Sequence, residues 1–128
     1  MGVQIQPPGP AVSPVPVASL FNYGSVTDPG ALATIASISS PGAGTYSVTA
    51  YPEVSGTTAA ADEDNMQLVV DGTVKSTIPV PSNVTTGGQG QPVTAVVQTT
   101  GTSIAVRSVA AGTSTAVYSC LIVATKVT

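Results

Sequence analysis

The residues best suited to chemistry are three adjacent carboxylates, Asp62-Glu63-Asp64, followed by Asn65. Two carboxyl groups at a fixed separation are the equipment of glycoside hydrolysis, but neighbours on one loop do not hold such a separation. The oxygen ligands of Asp62, Asp64 and Asn65 alternate in a way that suits Ca2+, although the glycine and distal glutamate of an EF-hand are missing. The same run reads as a solvated acidic loop ahead of a strand, with Asp64 or Asn65 capping the turn through its side chain. The chain has no histidine, and Lys75, Arg107 and Lys126 are its only cations. Acid–base catalysis needs a group titrating near neutral pH, and a nucleophile needs a base beside it. Cys120 sits in Val117-Tyr118-Ser119-Cys120-Leu121-Ile122-Val123, the setting of a buried small hydrophobe without an activating neighbour. The expectation is a protein that is not an enzyme, with no catalytic residues, no assigned metal site and no cofactor.

Extended segments carry these residues. Thr, Ser, Val, Ala and Gly dominate, good helix formers are scarce, and Gly or Pro recurs at intervals typical of sandwiches and barrels. A chain of 128 residues has room for one such domain. Strands are predicted over Ala31 to Ser39, Thr45 to Tyr51, Met66 to Val70, Thr73 to Val80, Pro92 to Thr99, Thr102 to Ala110 and Ser114 to Lys126. Asp71-Gly72 supplies the pair of positive φ angles that a two-residue type I′ hairpin turn requires. In the strand that follows, Val74, Ile78 and Val80 are expected to share a face. Pro52 to Asp64 and Ser82 to Gln91, with its Gly87-Gly88-Gln89-Gly90, read as loops. Ile104 and Val106 point inward if Arg107 faces water. The last strand is apolar on both sides, with Tyr118, Cys120, Ile122 and Ala124 on one and Val117, Leu121 and Val123 on the other. A strand covered on both faces is central or lies in an interface, so Val117, Leu121 and Val123 are candidates for a subunit contact. The fold class is all-β, an antiparallel two-sheet sandwich over residues 31–128, jelly-roll-like with an immunoglobulin-like order as the alternative.

Residues 1–30 differ. Six of the eleven prolines fall there, each fixing φ and deleting an amide donor, which leaves polyproline II or irregular extended chain. Apolar residues punctuate this proline-rich arm. Val3, Ile5, Pro7, Pro8, Pro10, Val12, Val15, Val17, Leu20 and Phe21 are the candidates for partner binding, because a nearly uncharged arm of this kind suits a groove. About twenty residues of polyproline II, at roughly 3.1 Å each, reach on the order of 60 Å.

A net charge of −3 leaves nothing to neutralise a phosphate backbone, so no nucleic-acid partner is expected. No apolar run approaches the roughly eighteen residues of a membrane span, and the start lacks a basic and an apolar region. No membrane and no signal peptide are therefore expected. Tyr46 and Tyr118 alternate with core positions, which leaves Tyr23 and Tyr51 as aromatics able to stack on a sugar.

The segments Gly44-Thr45-Tyr46-Ser47-Val48-Thr49-Ala50, Ala60-Ala61-Asp62-Glu63-Asp64-Asn65-Met66-Gln67-Leu68, Asp71-Gly72-Thr73 and Ala116-Val117-Tyr118-Ser119-Cys120-Leu121-Ile122-Val123-Ala124-Thr125 carry a resemblance. Over roughly residues 31–127 the chain resembles small β-sandwich structural proteins of tailed bacteriophages, especially those infecting actinobacteria. The resemblance implies a virion component made in the host cytoplasm: a decoration, or cement, protein on the capsid surface, or else a receptor- or carbohydrate-binding module of a tail or head fibre. It further implies the major capsid protein as partner, homotrimers, arms that clasp neighbours, and no catalytic residues.

Overall fold

The computed structural model describes residues 19–27, 32–55, 65–80, 88–109 and 117–127. They form β1 (Ser19–Thr27), β2 (Ala33–Ser39), β3 (Gly44–Ser55), β4 (Asn65–Val70), β5 (Thr73–Pro79), β6 (Gly88–Gln89), β7 (Val93–Thr99), β8 (Ser103–Val109) and β9 (Val117–Lys126). All pairings are antiparallel, and four of them nest: β4 with β5 innermost, then β3 with β7, β2 with β8, and β1 with β9 outermost. Alternate pairs fall in opposite sheets. The first sheet runs β1-β9-β3, with β6 and β7 both on the far side of β3, and the second runs β2-β8-β4-β5. This is the jelly-roll order, in which the first strand pairs with the last, and it displaces the immunoglobulin-like alternative.

The core fills the space between the sheets. Val48, Ala50, Val54, Cys120, Ile122 and Ala124 from the first meet Met66, Leu68, Ile78, Ile104 and Val106 from the second. Every second residue of β9 points inward, as the sequence predicts, and Tyr46 and Tyr118 are buried. The Tyr46 hydroxyl reaches the carbonyls of Pro41 and Gly42, the latter at 3.0 Å, and so ties the β2–β3 turn to the core. The Asp71-Gly72 turn takes the predicted form, with φ of 51° and 83°. Ile104 and Val106 point inward; Arg107 is half-buried, its Nε donating to Gln67 Oε1 at 2.9 Å.

Several local expectations are corrected. Pro52 does not end its strand; β3 continues to Ser55. The Pro52 carbonyl accepts from Gly90 N at 3.0 Å. In extended chain the N and O of one residue point the same way, so the missing donor of Pro52 faces Gly90, which continues the Glu53–Gln89 register just past the end of the short β6. The proline forfeits one ladder bond there, at a point where pairing with β7 has already stopped at Ala50. The glycine run is likewise partly regular: Gly88–Gln89 form β6, and a Cβ on Gly90 would lie 2.8 Å from Pro52 Cγ and 2.9 Å from the Pro79 carbonyl. Val74 does not share a face with Ile78, because a bulge sets Val69 against Val74 and Leu68 against Ser76, so Lys75 is the extra residue and Val74 turns outward.

The arm assignment also changes at its end. Ser19–Thr27 contains no proline and pairs with β9 along its whole length. It lies at a sheet edge and folds over β2, where Ser37 N donates to Asn22 Oδ1 at 3.2 Å. At this corner the backbones approach so closely that a Cβ on Gly24 would stand 1.8 Å from the Ile35 carbonyl oxygen. Gly24→Ala is therefore expected to destabilise by about 1–3 kcal/mol and to speed amide exchange through β1. Chemical denaturation with hydrogen exchange checks this, and unchanged β1 protection would contradict it.

Candidate interaction surface

The strand register decides what the first sheet shows to its surroundings. Phe21, Val123 and Thr49 stand in one row across β1, β9 and β3, and Tyr23, Leu121 and Tyr51 stand in the next. All lie on the face opposite the core. Phe21 is 73 % exposed, Tyr23 61 % and Tyr51 45 %, while Leu121 and Val123 are half-buried between them. Val96 of β7, beside Ser47, extends the apolar area at 70 % exposure. Among the described residues of this face only Glu53 is charged. An apolar patch of this kind on a small domain is a candidate interaction surface.

Beyond Tyr51 the row continues into the interruption between β6 and β7, and the surface dips. The resulting trough, about 360 Å³ in volume, runs from Tyr23 over Leu121 and Tyr51 to Glu53, Gln89 and Pro92. The hydroxyls of Tyr23 and Tyr51, the Glu53 carboxylate and the Gln89 amide make no hydrogen bond within the described residues. They are available to something lying in the trough.

The most heavily bonded polar group lies elsewhere. Asp71 Oδ1 accepts from Thr99 Oγ1 at 2.7 Å and from the amides of Thr102 and Ser103 at 3.1 Å each. Its Oδ2 accepts from Thr100 N at 2.7 Å and Thr100 Oγ1 at 3.1 Å, and Asp71 N donates to Ser103 O at 2.9 Å. The Thr100 amide first, then the Thr99 hydroxyl, hold this carboxyl well below the usual carboxylate range. Its oxygens are engaged in clamping the β4–β5 turn to the β7–β8 turn, which leaves a structural clip in place of a base. A cavity of about 470 Å³ beside it is lined by Thr45, Thr73, Lys75, Gln98 and Thr100 together with Asp71 and Thr99 themselves. Cys120 is buried, and desolvation pushes its thiol up to about 11, against a smaller lowering by the Tyr51 backbone.

The fold is similar to a chain of the cyanophage Pam1 capsid asymmetric unit, with a TM-score of 0.55 and 16 % identity over 98 % of this chain and 100 % of that one. Infectious bursal disease virus structures align more loosely: the VP2 subviral particle at a TM-score of 0.48 and 18 % identity, covering 91 % of this chain and 37 % of that one, and the T13 viral particle at 0.49 and 18 %, covering 91 % and 35 %. At 16 % identity the fold alone is what the cyanophage chain shares with this one. No protein-family model and no curated protein matches the sequence.

The predicted contact residues distribute themselves unevenly. Leu121 and Val123 lie at the centre of the exposed face, with Val117 near its end opposite Thr27 and Ser55. Phe21 joins them, whereas its neighbour Leu20 points the other way, opposite Ala124, and packs against the core. Val3, Ile5, Pro7, Pro8, Pro10, Val12, Val15 and Val17 lie outside the described residues, as do Asp62 and Asp64; Asn65 begins β4. Among the described residues no three acidic, cysteine or histidine side chains gather as metal ligands, and no helix is long and apolar enough to cross a membrane. The Asp71 clip escaped sequence reasoning, although the hydroxyl-rich Thr99-Thr100-Gly101-Thr102-Ser103 was its visible half.

The clip makes a pH prediction. Because the folded state lowers the Asp71 pKa from its ordinary 3.8, the stabilisation is full above that value, begins to be lost as pH falls below it, and is gone only once pH drops through the lower folded-state pKa. Asp71→Asn sets an amide NH2 against the Thr100 N–H and should lower the melting midpoint at about pH 6, with the gap from wild type narrowing towards about pH 3. Thermal unfolding across that range is the check; a constant gap contradicts a role for the charge.

Proposed function

We propose that this chain is a capsid decoration protein that binds the outer surface of a phage head and stabilises it. The observation that carries the reading is the fold correspondence with a capsid chain of the same extent: 98 % of this chain aligns with 100 % of a chain in the cyanophage Pam1 capsid asymmetric unit. A domain with a bare apolar sheet face and few charges suits attachment to a large partner. The sandwich is the body. Its exposed face, with Phe21, Leu121 and Val123, contacts neighbouring subunits, and the proline-rich segment ahead of β1 reaches across to the major capsid protein or an adjacent copy. Its mechanism is added buried area and avidity, with several weak contacts acting together in a homotrimer. It works without catalysis or cofactor, and its place is the virion.

Since β1 belongs to the sandwich, the test removes residues 1–18 and leaves Ser19 onward. The shortened protein is expected to stay folded by circular dichroism and to lose co-sedimentation with heads lacking the decoration protein, while full-length protein rebinds and raises their heat resistance. Undiminished binding would remove the arm from the mechanism. Binding of the full chain to host cell walls and not to heads would favour the fibre-module reading, with Tyr23 and Tyr51 stacking on sugar.

A further inference from the structure

The trough across the first sheet and the start of the chain fit each other in period, length and charge. Tyr23 and Tyr51 are separated by β9, two strand spacings or roughly 10 Å, with Leu121 as the floor between them. Polyproline II repeats every three residues at 3.1 Å each, or about 9 Å per turn. In Pro7-Pro8-Gly9-Pro10 two prolines stand one such turn apart. The trough from β1 to the β6–β7 interruption crosses three strand spacings, roughly 14 Å, which about five residues of polyproline II would fill.

Hydrogen bonding and charge agree with the spacing. Polyproline II makes no internal hydrogen bonds, so its carbonyls need donors from outside. The two tyrosine hydroxyls and the Gln89 amide are donors without partners among the described residues. Residues 1–18 carry no charged side chain, matching a face on which Glu53 alone is charged among the described residues. Aromatic-lined grooves with free donors are a general solution for holding proline-rich chain, because the ligand is stiff before it binds and loses little entropy.

We infer that the trough formed by Tyr23, Leu121, Tyr51, Glu53, Gln89 and Pro92 is the docking groove for the Pro7–Pro10 segment of a neighbouring copy of this chain. Pro7 and Pro10 rest on the two tyrosine rings, and the hydroxyls donate to backbone carbonyls between them. The site rests on the proposed function only in that the arm engages neighbours; it needs no capsid to form. It makes the contact between copies heterologous, arm to groove, and would chain sandwiches together head to tail, closing into a ring where the rotation permits.

Disulfide trapping with the full-length chain tests this. Cys120 does not compete, being buried with its thiol pushed up to about 11. An affinity-tagged chain carrying Gln6→Cys or Ser13→Cys, one on each side of the proline segment because either chain direction is possible, is mixed with untagged Gln89→Cys and oxidised with glutathione disulfide. One tagged variant is expected to yield a heterodimer well above a Ser37→Cys control on the second sheet, and Tyr23→Ala with Tyr51→Ala in the Gln89→Cys chain should cut the yield by about tenfold. A yield equal to the control, a yield indifferent to the tyrosines, or crosslinks forming only within one chain that carries both cysteines would overturn the inference. The readout uses free protein, so it stands or falls separately from head binding.

Discussion

The insertion of β9 between β1 and β3 is the constraint on which the molecule depends. One face of this last strand supplies Tyr118, Cys120, Ile122 and Ala124 to the core; the other supplies Leu121 and Val123 to the exposed patch. Its two ladders also hold β1 in place and thereby align Phe21 and Tyr23 with Tyr51. Because β9 comes last and pairs with the first strand, the sheet closes only when the whole domain is assembled, a topology of long-range contacts that folds slowly. The exposed apolar face is thus a property of the completed fold and of no local segment.

The two sheets divide the work. The outer side of the second is polar, with Ser37, Ser39, Gln67 and Arg107 along it, and both of its edges are interrupted by bulges, in β2 between Thr34 and Ala36 and in β5 at Lys75. Bulges and an edge lysine discourage further strand pairing. The outer side of the first sheet is aromatic and aliphatic, and its trough holds the Tyr23 and Tyr51 hydroxyls, which have no hydrogen-bond partner among the described residues. At the end of the sandwich the Asp71 clip joins the β4–β5 turn of the second sheet to the β7–β8 turn, which crosses from the first sheet to the second.

Much of this was legible in the sequence. The alternation in Thr45 to Tyr51 and in Val117 to Lys126, and the Asp71-Gly72 turn, were written locally because period and positive φ are local demands. What was hidden depended on a partner strand. Pro52 reads as a breaker until Gly90, opposite it at the end of the short β6, shows that only one ladder bond is lost there. The outward turn of Val74 needs the bulge opposite Val69, and Gly90 needs the Pro79 carbonyl that comes within contact of it. The exposed site was half legible: Leu121 and Val123 followed from the doubly apolar strand, and Tyr23 and Tyr51 from exclusion. Only the register places all four side by side. Phe21 read as part of the arm because the prolines before it set the tone of the segment, although the strand begins at Ser19.

The central claim is that this sandwich attaches to a viral shell through its aromatic sheet face and the proline-rich segment before it. Electron microscopy of intact particles tests it most directly. The account predicts density for the sandwich on the outer surface of the head, with the Phe21, Tyr23, Leu121 and Tyr51 face covered by neighbouring protein. A sandwich located only at the tail, or seated on the head with that face turned to solvent, would contradict it.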